Sequence, residues 1–252
     1  MQIAGRGRIV VWDSASLWVL ASPGRETGTD FHAHHAIQIT ISLAGGFAIR
    51  TPDQQSRGPI TLVAADAQHI FEADGVAAFL FVEPESNAGR AIAARWLGTG
   101  ILAEIDARAM RPAVDRLREC FAASCPDADL VEAGRACLSA IAEDGPGSSP
   151  DVRVQAMIDF VRANLDSPLS LAQAAACAHL SPSRARHRFD ADTGLPFKTF
   201  VLWQRLERAV ELYAKGHSLT AAAHEAGFAD SAHLSRTFRK TFGIPASMLE
   251  LT

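Results

Sequence analysis

The chain has 252 residues, more than the roughly 100–150 usual for one domain, so two domains are expected. Apolar residues make up 48% and charged residues 21%, which permits a sizeable core and excludes global disorder. The net charge of −4 is unevenly placed: residues 1–150 hold 12 arginines and no lysine against 18 acidic residues, whereas residues 151–252 hold 12 basic against 10 acidic, the balance that suits a phosphate backbone better.

No run of about 18 uncharged apolar residues occurs, so no membrane span is expected. The start, Met1 to Arg8 followed by a short apolar run broken by Asp13, is a poor secretory signal and reads as mature, cytoplasmic sequence. Cys120, Cys125, Cys137 and Cys177 form no Cys-x-x-Cys pair and fall in helical patterns, so reduced thiols are expected.

The first third reads as strands. Residues 8–21 and 36–50 are rich in Ile, Val, Leu and Thr, with turn clusters such as Ser22-Pro23-Gly24, Gly45-Gly46 and Arg57-Gly58-Pro59 between strands. Ile37 to Leu43 alternates apolar and polar, the mark of a half-buried strand, and residues 76–82 form another apolar run. Short strands with turns between them predict a small sandwich or barrel. His32-Ala33-His34-His35 precedes the strand at 36–43, and a His-x-His pair puts two imidazoles on one face of a strand. This segment resembles the first cupin motif. The resemblance implies His32, His34 and His69 as metal ligands, with Gln38 where metal-binding cupins carry Glu. Three neutral imidazoles can hold zinc or another divalent ion; equally, the histidines can line a barrel mouth and bond neighbouring polar groups. Gln38, Thr40, Ser42 and His69 are the candidate ligand-binding residues, with Trp12, Trp18 and Phe31 as apolar walls.

From about residue 88 the spacing turns helical, over 88–97, 107–123 and 129–142. Residues 143–150, with two Gly, two Pro and two Ser, cannot continue a helix and mark a boundary. The expected organisation is 1–143 (barrel about 1–87, helices about 88–143), a linker at 144–151, and an all-α domain at 152–252.

The last part repeats itself. Ser170-Leu171-Ala172-Gln173-Ala174-Ala175-Ala176 resembles Ser218-Leu219-Thr220-Ala221-Ala222-Ala223-His224, and Phe189, Gly194 and Pro196 return as Phe238, Gly243 and Pro245. Each copy has a serine cap, a small residue (Ala175, Ala223) where a second helix can cross, and a turn residue (His179, Gly227). Ser181-Pro182 and Asp230 read as starts of second helices, anchored by Phe189 and Phe238. Two helix-turn-helix units, at about 170–192 and 218–241, follow. The amphipathic run from Phe197 to Lys215 would join them, spanning roughly 28 Å at about 1.5 Å per residue.

The stretch from about 151 to 250 resembles the DNA-binding domain of the AraC/XylS family of bacterial transcription regulators, most closely over Gly227 to Pro245. By resemblance, the first reader helix contacts bases through Ser183, Arg186 and His187 and the second through Ser231, His233 and Arg236; Arg184, Arg239 and Lys240 suit phosphates. His187 stands where the family usually has Arg, Arg188 where it is usually apolar, and Asp190 and Asp192 thin out a normally basic helix end. The resemblance implies an α+β two-domain protein: an N-terminal cupin-like β-barrel with helices, acting as sensor and dimerisation domain, and a C-terminal domain with two helix-turn-helix motifs. Implied partners are double-stranded promoter DNA, RNA polymerase, a small-molecule or metal effector, and a second copy in a homodimer. Leu117, Cys120, Phe121, Leu130, Cys137, Leu138 and Ile141 either form that dimer surface or cover the barrel. No paired acid/base carboxylates, phosphate-cradling loop or nucleophile elbow are found, so no catalytic residue or organic cofactor is assigned. The competing reading is a cupin metalloprotein or metalloenzyme with an accessory helical domain.

Overall fold

The computed structural model describes residues 7–142, 151–249 and 251. The expected linker at 144–151 lies outside the described residues, apart from Asp151. The chain divides into two compact units, Met1–Gly147 with Phe238–Thr252, and Ser148–Thr237.

The first unit is built on strands β1 (Gly7–Trp12), β2 (Ala15–Gly28), β3 (Ile37–Arg50), β4 (Gln55–Ser56), β5 (Ile60–Val63), β6 (Ile70–Val82) and β7 (Leu102–Glu104). They form one antiparallel sheet in the order β1-β2-β6-β3-β5-β7, with β4 on β3. Side chains alternate between its faces. Leu17, Val19, Ile37, Ile39, Ile41, Leu80 and Val82 form one face and are buried under two helices, α2 (Ala107–Ala122) and α3 (Asp127–Ala142). Leu117, Leu130, Cys137 and Ile141 are fully buried against this face, and Cys120, Phe121 and Leu138 are partly buried beside them. These seven residues therefore cover the sheet. α3 comes close because Gly134 has no side chain: a Cβ there would lie 2.8 Å from the Trp12 indole.

The register brings polar and aromatic residues together on the opposite face. Gln38 pairs with Phe81; Trp18 and Thr40 flank Phe79 in the next row.

Two expectations are corrected here. β7 lies inside the stretch expected to be helical. Only three residues long, it is too short to show a period, and its pairing with β5 joins segments far apart in the chain. The four cysteines are not all free: Cys120 and Cys125 are joined, with Cα atoms 5.1 Å apart, while Cys137 and Cys177 remain thiols. Helix α2 ends at Ala122, and the turn through Ser124 (φ 51°) carries Cys125 back onto Cys120. Between β6 and β7 lie α1 (Asn87–Ile92) and one π turn (Ala93–Leu97).

The second unit is helical: α4 (Val152–Ala163), α5 (Leu171–Cys177), α6 (Pro182–Thr193), α7 (Phe197–Ala214), α8 (Leu219–Glu225) and the start of α9 (Ser231–Phe242). Val154, Met157, Ile158 and Val161 of α4 pack with Ala174, Ala175, Phe189, Phe197 and Phe200 in one core. Residues 238–252, expected with this unit, group instead with the sheet. The reason is aromatic burial: Trp18 stacks on Phe238 at 6.3 Å and meets Phe242 at 4.9 Å between centroids.

Candidate functional site

The two repeats fold alike. Ser170 caps α5 in a capping box, its Oγ accepting from Gln173 N at 3.3 Å while Gln173 Oε1 accepts from Ser170 N at 2.9 Å. Ser218 caps α8 through Ala221 N at 3.2 Å. Ala174, Ala175, Ala222 and Ala223 are all buried, as a close helix crossing requires. The turns take the left-handed conformation at equivalent positions, His179 at φ 53° and Gly227 at φ 79°. Each second helix then starts on its own cap: Ser181 Oγ accepts from Arg184 N at 3.5 Å, with Pro182 at the first helical position, and Asp230 Oδ1 accepts from His233 N at 2.6 Å.

On α6, Ala185 and Phe189 are buried while Ser183, Arg184, Arg186 and His187 are exposed. On α9, Leu234 is buried; Arg236, Arg239 and Lys240 are exposed, and Ser231 and His233 are half-buried. The His233 ring meets Phe228 edge-on at 5.2 Å. Arg239 bonds Asp30 at 3.3 Å, an exposed ion pair worth little in water. Arg188, unusual in the resemblance, pairs with Asp151, the residue that caps α4 through Arg153 N. The Arg153 N–H, helped by Arg188, holds the Asp151 carboxyl below its ordinary range.

The histidines form a second site, in the sheet unit. A two-way backbone bridge joins His32 and His69, each N–H donating to the other's carbonyl at 3.0 and 2.9 Å. His34 lies two residues on, on the same side. All three are buried, and one ring nitrogen from each lies within 4.8 Å of the others. Nδ1 of each ring bonds a backbone carbonyl: Asp30 O at 2.9 Å, Ala36 O at 3.1 Å and Ala67 O at 2.9 Å. Gln38 Oε1 stands 3.1 Å from His34 Nε2 and 3.3 Å from His69 Nε2, while its amide donates to Thr40 Oγ1 at 2.9 Å. Burial, with His69 nearby, pushes His32 down to about 4; burial and both partners push His34 well below its ordinary value, and burial lowers His69. All three are neutral at pH 7.

His35 points elsewhere and behaves oppositely. Burial opposes its charge, but Asp66 at 2.9 Å and Glu85 at 3.5 Å outweigh that and raise it to about 9. The sequence reading missed this role because neither acid is near His35 in the chain.

Beside His32 and Gln38 lies a cavity of about 40 Å³, walled by Trp18, Phe71, Phe79, Phe81, Phe242 and Ile244. Of the residues expected there, Thr40 is buried behind Gln38, and Ser42 turns aside to bond Gly45 O at 3.0 Å. Trp12 and Phe31 are not walls. Trp12 packs on α3 at the other face of the sheet, and Phe31 is 56% exposed. Phe71, Phe79 and Phe81 carried a readable signal, their period-two spacing along β6; Phe242 and Ile244 carried none.

Residues 174–250 match a helix-turn-helix domain family. Over 81 residues the chain is 36% identical to the regulatory protein Ada of Salmonella typhimurium strain LT2, covering 32% of this chain; it spans 23% of the length of that relative. The ToxT structure from Vibrio cholerae O395 superposes with a TM-score of 0.61 at 13% identity, over 95% of this chain and 99% of ToxT. ToxT from V. cholerae strain SCE256 with an unsaturated fatty acid bound gives 0.55 at 10% identity, over 94% and 95%. These define the class: a two-part fold in which an antiparallel sheet unit accompanies a helix-turn-helix domain. The chain therefore carries a helix-turn-helix domain over residues 174–250. No helix among the described residues is long and apolar enough to cross a membrane.

Proposed function

We propose that the protein reads a specific promoter sequence in the cytoplasm with the exposed faces of α6 and α9, under control of an effector held in the sheet unit. The observation that carries this is the pair of equivalent units, each with a buried anchor face and exposed arginines, beside exposed Ser183 and His187 in the first and half-buried Ser231 and His233 in the second. Arg186 and Arg236 are the base-reading residues, with Ser183, His187, Ser231 and His233 as weaker readers. Arg184, Arg239 and Lys240 grip phosphates and set register. RNA polymerase and a second copy of the chain are the protein partners, and no catalytic step is assigned.

The effector is an apolar small molecule. The support is the aromatic wall of the cavity and the fold shared with ToxT, for which a complex with an unsaturated fatty acid is known. At about 40 Å³ the cavity holds little more than water, so such a ligand has to displace Phe242 or Ile244. Both follow directly on the reader segment 231–240 in the chain. A ligand that prefers the displaced state thereby biases the reader helix.

The test is binding of the full-length protein to the DNA upstream of its own gene, across salt, against random duplex of equal length. Specific binding should persist under random competitor; equal affinity for both would reject promoter reading.

A further inference from the structure

We propose that a basic pocket between helix α2 and strands β3 and β5 binds a small phosphate monoester with an apolar body. The pocket has a volume of about 350 Å³, the size of a small-molecule site, and shares no lining residue with the aromatic cavity. Its floor is apolar: Ile41 of β3, Ile60 of β5 and Val114 of α2 are buried there. Its rim is cationic. Arg108, Arg111 and Arg118 line it, three of the 12 arginines in residues 1–150, a stretch in which acidic residues are in excess.

Helical spacing gathers these charges. Positions 108, 111, 115 and 118 follow one another at three and four residues, so α2 carries Arg108, Arg111, Asp115 and Arg118 along one side. Arg118 is held in place: its Nε donates to Leu43 O at 2.7 Å and its Nη1 to Asp115 Oδ1 at 2.5 Å. Arg111 Nε lies 3.8 Å from the other Asp115 oxygen. One carboxylate therefore serves two guanidiniums, and among the described residues no carboxylate pairs with that of Arg108. Asp106 is engaged at the helix end, accepting from Arg108 N at 2.9 Å. Three positive charges against one negative leave a surplus of two in the lining.

A phosphate monoester carries nearly that charge with the opposite sign at pH 7. Guanidinium forks bind its oxygens through paired N–H bonds. The first turn of α2 reaches the pocket through Ala107 and Arg108, and adds the positive end of a 16-residue helix dipole. The floor of Ile41, Ile60 and Val114 gains from covering by an apolar group, which inorganic phosphate lacks. The site is independent of DNA reading and of the aromatic cavity.

The untagged full-length protein is titrated by calorimetry with phenyl phosphate, with inorganic phosphate, which lacks the apolar body, and with phenol, which lacks the charge. One phenyl phosphate per chain should bind with a Kd below about 1 mM, and the two partial probes at least about tenfold more weakly. Arg108 and Arg111 are exposed, so replacing them should spare the fold. Arg108→Gln and Arg111→Gln should each weaken phenyl phosphate at least about tenfold, the loss expected for a charge-assisted bond. Arg116→Gln removes the same charge from the same helix outside the pocket and should change affinity less than about twofold. Absence of binding to the folded wild-type protein would overturn the site, as would equal affinity in wild type and Arg111→Gln. So would phenol binding as tightly as phenyl phosphate, or a loss in Arg116→Gln as large as in Arg111→Gln, which would mean general attraction by the helix.

Discussion

The indole of Trp18 and the ring of Phe242 lie 4.9 Å apart between centroids, though 224 positions separate them in the chain. Phe81 meets both, at 5.1 Å from Trp18 and 5.7 Å from Phe242, so three residues from β2, β6 and α9 form one aromatic cluster at the cavity wall. Phe242→Ala should therefore cost about 3–5 kcal/mol, the usual loss for a buried aromatic. It should also enlarge the cavity and raise affinity for apolar probes. Thermal denaturation and titration with a fluorescent apolar dye check both; a loss under about 1 kcal/mol would show that Phe242 is not part of the core.

The residues proposed to meet DNA should separate by the kind of contact they make. Arg186→Ala and Arg236→Ala should each cost about 1–3 kcal/mol on the preferred site and relax base choice at one position. Lys240→Ala should weaken all sequences alike and reduce the salt slope by about one unit. Fluorescence anisotropy on a set of single-base variants, at three salt concentrations, distinguishes the two patterns. A uniform loss for Arg236→Ala would move it to the phosphate-binding group.

Stability should depend on pH through His35. Its folded value, about 9, lies above the ordinary 6.5, so the charged ring favours the native state. That stabilisation is complete below about pH 6.5 and disappears as pH rises through about 9. Its size is on the order of 3 kcal/mol, by the conversion of about 1.4 kcal/mol per unit. Urea denaturation between pH 6 and 10 should show the decline, and His35→Gln should flatten it. A wild-type profile that is flat over this range would mean that Asp66 and Glu85 do not hold the proton.

The two turn positions should respond in opposite senses. Gly227→Ala places a Cβ 2.3 Å from Leu165 O at φ 79° and should destabilise by at least about 2 kcal/mol, with loss of DNA binding. His179→Gly removes a left-handed non-glycine residue at φ 53° and should be neutral or stabilising by up to about 1 kcal/mol. Chemical denaturation of both variants is the measurement.

Local physics explains which parts were readable from sequence. Caps, small crossing residues and turn residues act within four or five positions of one another, so both helix-turn-helix units were legible, down to the left-handed turn at His179. So was the placing of His32 and His34 on one side, from their two-residue spacing, though not their burial. The helices at 107–122 and 127–142 came from periodicity, but which of their residues cover the sheet did not.

By itself the sequence determined the doubled helix-turn-helix with its exposed arginines, the strand-rich first part, and the placing of His32 and His34 on one side. Only the tertiary structure decided that Gln38 joins those histidines, that Asp66 and Glu85 charge His35, that Cys120 meets Cys125, and that Phe242 and Ile244 wall the cavity. Sequence patterns carry interactions between near neighbours. Contacts closed by strand pairing, by a turn's direction or by the return of a distant segment depend on the whole chain having folded, and leave no periodic trace in it.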